Sequence, residues 1–170
     1  MSFADTRAEV VAIMMEFLDA LSASSFSTWL RESPSIWAYP AVLTLHTVGL
    51  GVLVGANWMV DLRVLGFARA LPMSLFARAF PIMWCGFWLN AATGVLLFVA
   101  DPTKATTTIF MWKLAIIAVS VMLLIVLKRK LYGEPVHMDH ATAAVKAVAT
   151  VSLLLWVAAI ATGRLMAYVV

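Results

Sequence analysis

The chain has a single cysteine, Cys85, set inside an apolar segment. Disulfides within the chain, thiolate zinc sites and iron–sulfur clusters are thereby excluded. Charge is also scarce: Asp, Glu, Lys and Arg make up 12% of the residues, and there are only three histidines. Hydrophobic residues make up 64%, with a mean hydropathy of +0.97, more apolar surface than a soluble domain of 170 residues could hide. There is no phosphate-cradling glycine loop, no serine elbow, and no basic stripe interleaved with aromatics, so nucleotide, acyl-transfer and nucleic-acid chemistry have no anchor. Internal repeats and low-complexity tracts are missing too.

What is present are four apolar stretches, about Ile36 to Val60, Phe76 to Ala100, Ile109 to Leu127 and Ala141 to Val169. Each is long enough to cross a hydrocarbon core, which takes ~20 apolar residues in a helix. The expected fold is all-α, an integral membrane four-helix bundle over 35–170, preceded by a segment over 1–34. In that segment Glu9, Glu16 and Asp19 share one helical face, opposite Val10, Ile13, Met14, Phe17 and Leu21. This is the pattern of an amphipathic helix lying in the membrane interface. A cleaved signal peptide fits less well, because the first residues are not basic and Glu16 and Asp19 interrupt the apolar run. Pro34 and Pro40 flank the start of the first span, and Pro81, early in the second, predicts a kink.

Basic residues predict the orientation. Arg63, Arg69, Arg78, Lys128, Arg129, Lys130 and Lys146 fall at one end of the bundle. Arg7, Arg31, Lys104 and Arg164 fall at the other, with Lys113 just inside the membrane. The positive-inside rule puts the first group in the cytoplasm and both termini outside it, as in a multi-pass protein of the bacterial inner membrane. The net charge of +3 is then loop charge, with no need of a polyanionic partner.

The chemistry must come from few polar residues: His46, Asn90, Lys113 and Arg164 are the strong ones within the spans. An ionisable residue inside a membrane segment is a functional-site hypothesis by default. With ~1.5 Å of rise per residue, His46 lies about 15 Å below the outer end of its span, and Lys113 and Arg164 lie within about two turns of theirs. Three basic residues thus converge on the outer half. A haem b answers all three, since neutral imidazole is a standard axial ligand and the two propionates call for cations near the membrane surface. Gly49, one turn after His46, would let a flat macrocycle or a neighbouring helix approach the backbone, and Gly51 with Gly55 forms a small-xxx-small packing face.

A first span with His46, Gly55 and a terminal Arg63, and a third with Trp112-Lys113-Leu114 near its start, resembles the four-helix family of the HemJ-type protoporphyrinogen oxidases and CopD-type copper resistance membrane domains. Leu45 to Gly49 and Gly163 to Leu165 also resemble segments of other bacterial membrane proteins. The resemblance spans roughly residues 36 to 169 and implies a haem-binding bundle in which His46 is an axial ligand and Lys113 a second functional cation. The further polar motif that HemJ-type proteins carry late in the last span has only Thr162-Gly163-Arg164 as its counterpart. Haem binding is therefore implied, and porphyrinogen oxidation is not. The expected function is an electron-transfer or oxidoreductase subunit, exchanging electrons with quinone and assembling with itself or with a membrane or periplasmic partner. The alternatives are CopD-like copper transport, with His46 as the metal ligand and methionines at the outer face helping to hand copper inward, and a structural or assembly subunit.

Each residue also has a plainer use. His46 could hydrogen-bond a neighbouring helix, Lys113 and Arg164 could snorkel to headgroups, and Asn90 reads best as interhelical glue. Trp37, Trp84 and Trp112 near span ends suit an aromatic belt, and Met83, Met111 and Met166 suit membrane filler. His137-Met138-Asp139-His140 has the look of a second metal site but reads better as a solvated loop at the basic end.

Overall fold

The computed structural model describes residues 3–132 and 142–169. Among these are six α-helices and no strand: α1 (Phe3–Ser22), α2 (Ser25–Glu32), α3 (Tyr39–Leu65), α4 (Ala79–Ala100), α5 (Thr108–Tyr132) and α6 (Ala143–Val169). Short 3-10 turns, Met73–Arg78 and Pro102–Thr106, precede α4 and α5. The helices α3 to α6 include four stretches long and apolar enough to cross a membrane, so this is a multi-pass membrane protein whose apolar flanks fit contact with lipid.

Two span boundaries differ from expectation for physical reasons. The first span, α3, starts at Tyr39 with Pro40 in its first turn, where the missing N–H has no intrahelical partner to lose. It then runs past Val60 to Leu65. There Gly66, at φ 107°, stops it: the Gly66 N–H donates to the Arg63 carbonyl and the Phe67 N–H to that of Leu62. The fourth helix starts at Ala79, so Pro81 falls in its first turn and interrupts no helical hydrogen bond. The irregularity expected at Pro81 is displaced into the preceding 3-10 turn.

Chain order makes α3/α4 and α5/α6 two antiparallel hairpins, and α3 packs on α6 to join them. The main buried core lies from mid-bundle to the basic end: Leu53, Val60 and Val64 of α3, Phe80 and Met83 of α4, Leu124 and Leu127 of α5, Ala149 and Trp156 of α6. Toward the other end the hairpins share no such core. No described residue of α5 before Ser120, nor of α6 after Ala159, is buried.

The N-terminal segment docks at that other end. Ser24 caps α2 by accepting from the Ser27 N–H, and the chain bends 60° between α1 and α2. The Ser27 hydroxyl, fully buried, donates to the Val99 carbonyl at 2.8 Å, and Arg31 donates to the Ala100 carbonyl at 3.3 Å. These bonds satisfy carbonyls that the C-terminus of α4 would leave open. Leu30, Ala38 and Ala100 form a small apolar cluster beneath. Along α1, Val10, Ile13, Met14 and Phe17 are exposed, which is the apolar face the sequence assigns to the membrane interface.

Candidate functional site

The crossing of α3 on α4 is set by two glycines. A Cβ on Gly49 would lie 2.8 Å from the Asn90 backbone nitrogen, and one on Gly86 would lie 2.7 Å from that of Leu53. Gly49 is therefore consumed by helix packing and is not left for a macrocycle, which corrects one of the two uses its position suggests. Gly51 and Gly55 are exposed, with nothing within 4 Å of a Cβ on either, so they contact no other helix of this chain.

The close crossing brings His46 onto α4. Its Nδ1 lies 3.0 Å from the Asn90 carbonyl oxygen and 3.1 Å from Thr93 Oγ1. A carbonyl only accepts, and the Thr93 hydroxyl already donates to the Leu89 carbonyl at 2.6 Å. The two nearest neighbours of Nδ1 are thus acceptors, while the Asn90 amide nitrogen, farther off at 3.3 Å, has a shorter bond at 2.8 Å to the His46 carbonyl, so we assign the proton to Nδ1. In the neutral ring this leaves the Nε2 lone pair available, and Nε2 makes no hydrogen bond to any described residue. The Asn90 amide donates to the His46 carbonyl at 2.8 Å, so Asn90 is the interhelical glue expected of it and also braces the histidine. Gly94 leaves room for the ring, since a Cβ there would come 3.3 Å from His46 Cε1.

Counted from Tyr39, His46 is seven residues into α3, about 10 Å from the N-terminal end of the helix rather than 15. Lys113 is five residues into α5 and Arg164 five from the end of α6, each about 8 Å deep. Lys113 is half-buried, without a hydrogen bond or ion pair among the described residues, and lies close enough to His46 for its charge to act on the ring. It passes over Gly163, whose added Cβ would sit 3.6 Å from Nζ. Arg164 is exposed, so the structure brings His46 and Lys113 together and turns Arg164 outward.

The other candidates separate cleanly. Met83 is core filler and Met111 is exposed. Trp37 and Trp112 are exposed at the N-terminal ends of α3 and α5, as an aromatic belt requires. His137-Met138-Asp139-His140 lies outside the described residues. Among the described residues no three His, Cys, Asp or Glu side chains come together as a metal site.

The sequence reading missed a second polar cluster. Asp61 (0% exposed), Asn57 (1%) and Ser152 (1%) are buried where α3 meets α6. The Asn57 amide donates to Asp61 Oδ2 at 2.6 Å and to Ser152 Oγ at 3.0 Å. With the span drawn to end at Val60, Asp61 fell outside it by one residue. The available signal was the i,i+4 spacing of Asn57 and Asp61, which puts amide and carboxyl on one helix face.

No protein-family model, curated protein or solved structure matches this chain.

Proposed function

We propose that the outer half of the bundle binds a haem b, with His46 Nε2 as axial ligand, in an electron-transfer or oxidoreductase subunit of the bacterial inner membrane. The observation that carries this is the state of His46: Nδ1–H tied to a backbone carbonyl, with Nε2 unengaged. That is the arrangement metal-ligating histidines use to fix their tautomer and ring orientation. Bound there, the haem would supply one-electron redox chemistry.

The chain's own residues hold and tune. Asn90 and Thr93 fix the ring, Gly94 gives it room, and Lys113 supplies a cation for a propionate, with Arg164 near the surface for the second. The outer halves of the two hairpins share no fully buried core that a flat group between them would have to replace. Haem asks the protein for one or two ligands because the porphyrin supplies four, and a copper relay asks for several. In this reading both termini lie outside the cytoplasm, and electrons pass between membrane quinone and a partner subunit or second copy on the outer side.

The test is the visible spectrum of detergent-purified protein, oxidised and dithionite-reduced, with iron and copper measured on the same sample. A Soret band that sharpens on reduction, about one iron per chain, and loss of both in His46→Ala is the expected result. Colourless protein after expression with ample haem would sink the reading.

A further inference from the structure

We propose that Asp61 is a proton-binding site, taking up and releasing a proton at the basic end of the bundle while Asn57 and Ser152 hold its carboxyl. The inference does not rest on haem, since His46 is fifteen residues away along α3, about 22 Å.

Asp61 is wholly buried, four residues or about 6 Å inside the end of α3 at Leu65. Among the described residues no cation pairs with it. On its own helix, Arg63 donates to the Leu71 and Arg69 carbonyls. On α5, Lys128 lies over the Phe80 ring at 5.7 Å, and the Tyr132 hydroxyl donates to the Met73 carbonyl. On α6, Lys146 is exposed, as is Arg78 at the start of α4. Only Ser152 and Asn57 act on the carboxyl.

An ion buried without a counter-charge is strongly disfavoured. A proton on the carboxyl removes that penalty, and the hydrogen bonds say where it goes. Oδ2 accepts from the Asn57 amide, and Oδ1 has no partner. The added proton therefore sits on Oδ1, and its release restores the carboxylate with Oδ2 still held.

A purely structural link between α3 and α6 needs only the Asn57–Ser152 bond. The carboxyl beside it adds a desolvation cost that packing does not repay. Two further buried donors lack acceptors: the indole N–H of Trp58, next to Asn57 in sequence, and that of Trp156, one turn from Ser152.

The experiment is infrared spectroscopy of the purified full chain as pH is varied from about 4 to about 10, in water and in heavy water. The expected result is a protonated-carboxyl carbonyl band that shifts in heavy water, disappears as pH rises, and is missing from Asp61→Asn. Asn57→Ala, which removes the hydrogen bond to Oδ2, should move the midpoint by about one pH unit, the tenfold change expected from one hydrogen bond to a carboxylate. Should Asp61→Asn not fold, Asp61→Glu must move the band in frequency. A spectrum that does not change over this range, or is unaltered by these variants, overturns the proposal. So does a midpoint that moves with sodium concentration, which would make the site one for a metal cation.

Discussion

Gly86→Ala tests the close crossing that positions His46. A Cβ at residue 86 meets the Leu53 backbone nitrogen at 2.7 Å and the Gly49 carbonyl oxygen at 2.9 Å. Backbone cannot rotate away, so relieving the first contact to an ordinary 3.4 Å separates α3 from α4 by about 0.7 Å. Overpacking of this kind costs about 1–3 kcal/mol, while alanine in place of glycine returns up to about 1 kcal/mol of helix propensity. Gly51→Ala on α3 is the control, because it gains the same propensity and meets nothing within 4 Å. Propensity cancels between the two variants, leaving about 1–3 kcal/mol. That corresponds to about 2–12 °C in Tm for a chain of this size. Thermal unfolding in detergent followed by helical circular dichroism reads it directly. Gly49→Ala adds a local consequence: clearing 2.8 Å from the Asn90 nitrogen moves Asn90 by about 0.6 Å and stretches the 3.0 Å His46 bond past hydrogen-bonding range. Equal melting temperatures for Gly86→Ala and Gly51→Ala would refute the crossing geometry and with it the bracing of the histidine.

Asn90→Ala removes the donor to the His46 carbonyl and should lower haem retention about 10–100-fold in a Soret titration, the usual effect of losing a ligand's support. Unchanged retention would separate the two residues functionally. Ser27→Ala leaves the Val99 carbonyl without its buried donor, at about 1–3 kcal/mol, and should raise hydrogen exchange over α2 before any change in α5 or α6. In the turn between α4 and α5, burial alone would raise the Asp101 carboxyl, but the Thr103 hydroxyl, the Lys104 ammonium at 3.2 Å and Arg31 hold it below the usual carboxylate range. A depressed folded-state value stabilises the fold above about pH 4 and ceases to do so as pH falls. Acidification from about pH 5 to 3 should therefore lower the Tm of the parent more than that of Asp101→Asn, by no more than about 1 kcal/mol because the pair is partly solvated.

Hydropathy made the four helices and the N-terminal segment legible, since apolar length and the membrane thickness fix each other. It also singled out His46, Asn90 and Lys113, because polar groups are rare against that background. Helix rotation was not legible. Arg164 and Lys113 have similar depths, yet one is turned outward and the other stays half-buried, a difference set by the local packing of α5 on α6 at Gly163. Gly49 and Gly51 are two residues apart and have opposite fates for the same reason. Asp61 was lost for another cause: a boundary drawn where charge begins discards a carboxyl that the helix keeps, and only the Schellman turn at Gly66 marks the true end.

Asn57 and Ser152 are 95 residues apart in the chain. At ~5–20 residues per second of synthesis, about 5–20 s separate the emergence of Asn57 from that of the hydroxyl that will receive its amide. During that interval α3 can pair with α4, but the face bearing Asn57 and Asp61 has no cover from α6. The nascent chain must therefore be sheltered at the site of insertion until its last helix arrives, and biogenesis is the stage at which this polar pair costs most.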